Sequence, residues 1–278
     1  MKLPSVTIKQ LLEAGVHLGH KTFRWNPKMD KYIFGSKDTI HIIDLVQTLE
    51  MANAALQEIH KCISSGGKIL FVSTKKQATE TIATLAKDTS QFYVNHRWLG
   101  GMLTNWKTIT NSIKYFKKLS EDLKKENKSF TKKEFLKMGT KRDKLERSLG
   151  GIADMKKTPN MIFIIDTNIE ALAVKEALKL NIPIVAILDT NSDPTGISYP
   201  IPGNDDARRA INLYCDLVKH TILDAQKGIS NNEAIEKEVE PANITPTVKK
   251  DVEKTKDKEK KTTSIFSKVK AFATKKKQ

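Results

Sequence analysis

Between Leu45 and Gly228 the apolar positions alternate between two periods. Short solid runs, Lys68–Ser73, Met161–Ile165 and Ile184–Leu188, have the length and β-branched content of strands buried on both faces. Phe92–Val94 is a shorter run of the same kind, and Tyr199–Ile201 reads as an edge strand. Between the runs, apolar residues fall three and four apart. Leu45, Leu49, Ala52, Leu56, Ile59 and Ile63 predict a helix over 45–64, which Gly66-Gly67 closes. Further helices are predicted over 75–87, over 169–180 and from Ala207 to about Lys227. Buried strands alternating with helices predict an α/β body, a parallel sheet covered on both faces. Ahead of it lie a short helix over 7–14 stopped by Gly15, an irregular segment from His17 to Lys28, and a hairpin. The hairpin strands are Tyr32–Phe34 and Thr39–Ile43, with Gly35–Asp38 as the turn.

The rhythm changes after the least ordinary stretch of the chain, Asn95–Trp106, which holds two Trp, an Arg, a His and a Gly-Gly pair. Beyond it, Trp106, Ile109, Ile113, Phe116 and Leu123 keep heptad-like spacing, with Ser120 breaking the series. After an interruption at 126–129, Thr131–Glu134 is a capping box. Phe135, Met138, Leu145, Leu149 and Ile152 then resume the spacing, broken at Arg142. Two helices of about 20 residues joined by a turn predict an antiparallel coiled-coil hairpin about 30 Å long. The predicted organisation is an α/β body over 1–103 and 153–228, an inserted hairpin over 104–152, and a Lys-rich tail over 229–278. The tail's low hydrophobicity and high charge predict disorder.

Charge narrows the function. Of 278 residues, 48 are Lys or Arg against 32 Asp or Glu, a formal net charge of +16 that favours a polyanionic partner. No run reaches the roughly 18 apolar residues of a membrane span, and the N-terminus has no signal-peptide pattern. Cys62 and Cys215 form no C-x-x-C motif and are expected to be reduced thiols. A cytoplasmic protein is the expectation.

Basic residues interleave with aromatics twice. Lys21, Arg24 and Lys28 surround Phe23 and Trp25; His96, Arg97, Trp98 and Lys107 flank the Gly-Gly bend. RNA-binding surfaces pair phosphate-seeking bases with flat side chains that stack on exposed nucleobases. Trp106 is assigned to the apolar seam of the hairpin. Ser73, Thr74, Lys75 and Lys76, after the first buried strand, open a helix whose N–H groups could hold a phosphate. That loop also supports a second hypothesis, an enzyme or regulator binding a phosphorylated small ligand, although both nucleotide fingerprints, G-x-G-x-x-G and the P-loop, are missing. No nucleophile–base pair is evident. Asp166, Asp189, Asp205 and Asp206 follow strands or open a helix. Capping explains them; alternatively, with His17 or His20 nearby in space, they could hold a zinc- or magnesium-type ion.

Taken together, the runs Ala14–His20, Arg24–Met29, Ile33–Gly35, His41–Ile43, Phe71–Val72 with Thr74–Lys75, Phe92–Lys107, Ser148–Ile152, Asp189–Pro194 and Ile201–Ala207 closely resemble the bacterial small-subunit ribosomal protein S-two family. The resemblance spans about residues 7–228. It implies a flavodoxin-like, three-layer α/β/α body with a five-stranded parallel sheet and a protruding coiled-coil hairpin. It implies a non-enzymatic protein that needs no cofactor, binds 16S rRNA and other small-subunit proteins, and helps dock ribosomal protein S-one. On that view Lys21, Arg24, Trp25, Lys28, Lys75, Lys76, His96, Arg97, Trp98 and Lys107 face rRNA, and a structural Zn or Mg ion at His20, Asp189 and Asp205 stays open.

Overall fold

A computed structural model describes residue 4 and residues 6–124 and 131–238. Helix α1 (Ile8–Ala14) begins at a Thr7/Gln10 capping box and ends at Gly15, whose φ is 77°. Strands β1 (Leu18–Lys21), β2 (Ile33–Lys37) and β3 (Ile40–Ile43) form a small antiparallel sheet in the order β1-β3-β2. The hairpin turn sits later than expected. Gly35 and Ser36 belong to β2, and Asp38 and Thr39 carry positive φ of 51° and 64°, the two-residue loop whose twist suits flanking strands. Strand β1 lies in the segment expected to be irregular, because Leu18–Lys21 shows no alternation; its burial runs exposed, intermediate, intermediate, exposed.

The second sheet contains β4 (Ile69–Val72), β5 (Phe92–Val94), β6 (Met161–Ile165), β7 (Ile184–Leu188) and β8 (Tyr199–Pro202). Its order is β5-β4-β6-β7-β8 and every pairing is parallel, as expected for the α/β body. The helices are α2 (Leu45–Ser64), α3 (Thr79–Asp88), α4 (Trp106–Lys124), α5 (Lys132–Leu149), α6 (Ala171–Lys179) and α7 (Arg208–Glu238).

The solid apolar runs divide by parity, since successive strand residues point to opposite faces. Ile69, Phe71, Met161, Phe163, Ile165, Val185 and Ile187 pack against α1, α2, α3 and α7. Phe71 and Phe163 meet edge-on at 5.7 Å. Leu70, Val72, Ile162, Ile164, Ile184, Ala186 and Leu188 face the opposite way, against Ala173 and Ala177 of α6, Trp98, Met102, Leu103 and the feet of α4 and α5. The result is an α/β/α sandwich with an apolar core on each side of the sheet.

Helices α4 and α5 pack side by side, with the Lys141 ammonium 5.1 Å from the Tyr115 ring. The expected seam needs amendment. Leu119, not Ser120, fills the buried position after Ile109 and Ile113, and Phe135 is exposed. Ile109, Ile113, Leu149 and Ile152 belong to the core on one face of the body's own sheet, so the foot of the insertion is built into the α/β body. Gly151 secures this junction: a Cβ there would collide with the Tyr93 carbonyl and ring. Helix α7 continues through Gly228 to Glu238, beyond its expected end near Lys227. The expected disordered tail otherwise falls on 239–278, outside the described residues.

Candidate functional site: a filled crevice and an exposed basic surface

In chain order the parallel strands stand 2-1-3-4-5 across the sheet. Connections leave β4 and β6 in opposite directions, so a crevice opens between their carboxyl ends, where doubly wound proteins hold ligands. Here the chain fills it. The Lys75 ammonium, about 10% exposed, donates to Asp166 Oδ2 at 3.2 Å and Asp205 Oδ1 at 2.7 Å, and lies 2.6 Å from Asp206 Oδ1. Asp166 is held in turn, in a left-handed conformation (φ 67°) in which its Oδ1 accepts from the Asn168 and Ile169 amides. Glu170 accepts the Thr74 amide at 2.6 Å, tying the β4 loop to the start of α6.

Lys75 therefore lacks the free charge expected of a phosphate ligand. The helix it was to open starts only at Thr79, with Lys75–Ala78 forming a turn. Burial opposes the Lys75 charge, but Asp205, Asp206 and Asp166 outweigh it and raise its pKa above the ordinary lysine value. Burial pushes Asp205 up to about 7, with repulsion from Asp166 and Asp189 adding to it and Lys75 opposing.

The N-terminal segment crosses the same end of the sheet. His20 N–H donates to Thr190 Oγ1 at 2.9 Å, and Asn204 Nδ2 donates to the Gly15 carbonyl at 3.2 Å. Gly19 permits the approach, since a Cβ would strike the Thr190 side chain. The His20 ring then lies between two acids, Nδ1 at 2.9 Å from Asp189 Oδ2 and Nε2 at 3.5 Å from Asp206 Oδ2. The hydrogen bond to Asp189 raises the His20 pKa; burial opposes it, and the charges of Asp189, Asp205 and Asp206 add to it. One ligand atom from each of His20, Asp189 and Asp206 lies within 4.8 Å of the others, a nitrogen-and-carboxylate set that fits a zinc-type ion. Asp205, expected in that set, is turned to Lys75, and Asp206 takes its place. The adjacent carboxylates of Gly203–Asp206 were visible in the sequence, but their division of labour depends on where Lys75 lies.

The expected RNA-facing residues separate by exposure. Trp98 is buried and donates its indole N–H to Glu176 Oε1 at 3.0 Å, so its ring is core and not a stacking platform. Lys28 is exposed but engaged, donating to Asp193 Oδ2 at 2.7 Å and Thr195 Oγ1 at 2.9 Å. That contact, with further bonds from Thr195, lowers the Asp193 pKa to about 2. Lys21, Arg24, Lys76, His96, Arg97 and Lys107 lie at the surface. Trp25 is 37% exposed and packs on His41, ring centroids 5.3 Å apart. Phe23 and Phe34, 73% and 80% exposed, stand on the same three-stranded-sheet end of the chain, with the Arg24 guanidinium 5.5 Å from the Phe23 ring.

Glu176 carried no sequence signal, being one more acid on a helix. Its carboxylate nevertheless accepts from Trp98 Nε1, the Gly101, Leu103 and Thr104 amides and the Thr104 hydroxyl. Burial opposes ionisation of Glu176, but the bonds from Trp98, Thr104, Leu103 and Gly101 together hold its pKa below the ordinary glutamate value. Cys62 and Cys215 are free, and burial pushes the Cys215 thiol up to about 12. Among the described residues no helix is long and apolar enough to cross a membrane.

Comparison with known proteins identifies the family. The family model described as Ribosomal protein S2 matches residues 11–225. The chain is 54% identical over 252 residues to small ribosomal subunit protein uS2 of Phenylobacterium zucineum, covering 91% of this chain and 85% of that one. It is 56% identical over 248 residues to uS2 of Sinorhizobium medicae, covering 87% and 97%. For uS2 of Acidiphilium cryptum the identity is 58% over 224 residues, covering 81% and 88%. These relatives are ribosomal proteins and not enzymes. The chain belongs to the ribosomal protein S2 family.

Proposed function

We propose that this protein is a structural component of the small ribosomal subunit that binds 16S rRNA in the cytoplasm and contributes to docking ribosomal protein S-one. The observation that carries the reading is the distribution of charge. The crevice where a small ligand would enter is occupied by Lys75 and its acids, while Lys21, Arg24, Lys76, Arg97 and Lys107 point outward from a chain of net charge +16. Outward bases neutralise phosphates without reading sequence, as a structural rRNA contact requires. Phe23, Trp25 and Phe34 are exposed aromatics of the N-terminal segment, each suited to base stacking or to a protein neighbour. A divalent ion held by His20, Asp189 and Asp206 would clamp the N-terminal segment to the ends of β7 and β8.

Co-sedimentation with the small subunit in sucrose gradients of increasing salt tests the reading. Wild-type protein should travel with the subunit at moderate salt and leave it steeply as salt rises. The double substitution Arg97→Glu/Lys107→Glu should weaken association and lower the slope of log affinity against log salt by about 2. Wild-type protein remaining at the top of the gradient, or a double variant that sediments normally, would refute it.

A further inference from the structure

The loop that joins β5 to α4 is folded around an anion supplied from another part of the chain. Gly101, Leu103 and Thr104 aim their amides inward, and the Trp98 indole N–H and Thr104 hydroxyl join them. Both oxygens of Glu176, from the middle of α6, take these bonds at 2.7 to 3.1 Å. The loop adds little bonding of its own: Met102 N–H to the Leu99 carbonyl at 3.0 Å and Asn105 N–H to the Gly101 carbonyl at 2.8 Å. Gly101 supplies the positive φ of 82° that turns its amide toward the carboxylate. Trp98 and Leu103 are buried, so without an acceptor their donors would be stranded away from water. Arg97 immediately precedes this loop, and Lys107 lies in the first turn of the helix it launches.

We infer that Glu176 is a positioning residue for the rRNA contact: its carboxylate is the template on which residues 98–104 fold, and it thereby fixes how Arg97 and Lys107 are presented. The inference rests on the rRNA reading above. A carboxylate is required because every group around it is a donor. A carboxamide of the same size would turn its own N–H groups toward N–H groups. Glu176 touches no partner itself; it acts through the loop.

The test uses the full chain with Glu176→Gln, which keeps the volume and removes the charge, and Glu176→Ala, which leaves space for a small anion. Hydrogen exchange at Gly101, Leu103 and Thr104 is measured alongside co-sedimentation with the small subunit. Glu176→Gln should speed exchange at these amides by about tenfold or more, the equivalent of one charge-assisted hydrogen bond. The amides of β4, β6 and β7 should stay protected as in the wild type, and association should fall about tenfold. Added formate should restore loop protection and association in Glu176→Ala, a rescue that a purely space-filling role does not give. Wild-type exchange in Glu176→Gln, protection lost across the whole sheet, or a loosened loop with unchanged association would each overturn the proposal. Failure of the rRNA reading is distinguishable, because then the wild type itself does not sediment with the subunit and both proposals fall.

Discussion

Replacing Lys75 by Met should be among the most damaging single changes in the α/β body, although it swaps a lysine for an apolar residue of similar length. Lys75 is about 10% exposed, and the carboxylates of Asp166 and Asp205 beside it are about 8% and 1% exposed. Removing the cation leaves these acids close together without a counter-charge. Breaking a buried pair from one side costs about 3–5 kcal/mol, far more than an exposed lysine contributes. For a body of this size that corresponds to a fall in Tm of roughly 6–20 °C. The pH dependence supplies a second signature. Asp205 has a folded pKa of about 7, above the ordinary aspartate value of 3.8, so its protonated form favours folding. The stability it contributes is complete below 3.8 and is lost as pH rises through about 7. Without Lys75 the folded value moves higher still. Lys75→Met should therefore lose most at pH 8 and recover on acidification toward pH 5.5, and adding Asp205→Asn should restore part of the loss. Urea unfolding at both pH values measures this. A Lys75→Met protein within about 1 kcal/mol of wild type at pH 8, with no steeper pH dependence, would refute the account of the crevice as a coupled charge cluster.

Four further outcomes are expected. Gly151→Ala drives a Cβ into the Tyr93 carbonyl, so thermal unfolding should show a loss of about 1–3 kcal/mol and the foot of α5 should exchange faster than the far strands. Zinc added at about 100 times its dissociation constant should stabilise the wild type by about 2.7 kcal/mol, and His20→Ala should abolish the gain. Zinc affinity should weaken on acidification, because His20 must release a proton to bind and its pKa is raised. Acid should loosen the 98–104 loop only below the ordinary glutamate value: the depressed pKa of Glu176 gives stability that is present above 4.5 and lost as pH falls through the lowered one. Hydrogen exchange at Gly101 and Leu103 between pH 6 and pH 3, corrected for intrinsic rates, would show no such release if Glu176 were not ionised.

The parts of this fold visible in the sequence are those that a single strand or helix determines from its own composition. Ile69–Val72, Met161–Ile165 and Ile184–Leu188 are apolar throughout because both faces are covered, and their assignment as parallel strands needed no partner information. Leu18–Lys21 became a strand only because Ile40–Ile43 pairs with it, so nothing local announced it. The alternating series of three and four through Ile113 and Phe116 steps next to Ser120, whereas the residue that packs inward is Leu119, three after Phe116. The candidate site divides in the same way. Exposed bases such as Lys21, Arg24 and Arg97 could be named from their runs. The fates of Lys75, Trp98 and Glu176 depend on partners 130, 78 and up to 78 positions away. A lysine after a buried strand looks identical in sequence whether it meets a phosphate or an aspartate; only the sheet order decides, by placing the β6 and β8 loops beside it.

Charge is sorted between inside and outside, and this links the filled crevice to the basic surface. Among the described residues the most buried charged side chains are the acids Asp166, Glu170, Glu176, Asp189 and Asp205, with Lys75, about 10% exposed, enclosed beside two of them. Each has partners within: Lys75 for Asp166 and Asp205, the Thr74 amide for Glu170, the 98–104 loop for Glu176, and His20 and the Thr190 amide for Asp189, although burial still outweighs them at Glu170 and Asp205 and raises both pKa values. Acids can be buried this way because a loop or helix start offers several N–H donors at fixed positions. A buried lysine needs acceptors, and carbonyl groups inside helices and sheets are already engaged. The interior therefore absorbs acids and leaves most lysines in water. The same acids bond the loops from which bases project: Glu176 accepts from residues 98–104, between Arg97 and Lys107 in the chain, and Asp166 and Glu170 accept from Lys75 and Thr74, next to Lys76 in the chain. A protein built this way gains a rigid frame for its positive surface, and the crevice that would otherwise admit a small ligand is occupied by the charges that hold the frame together.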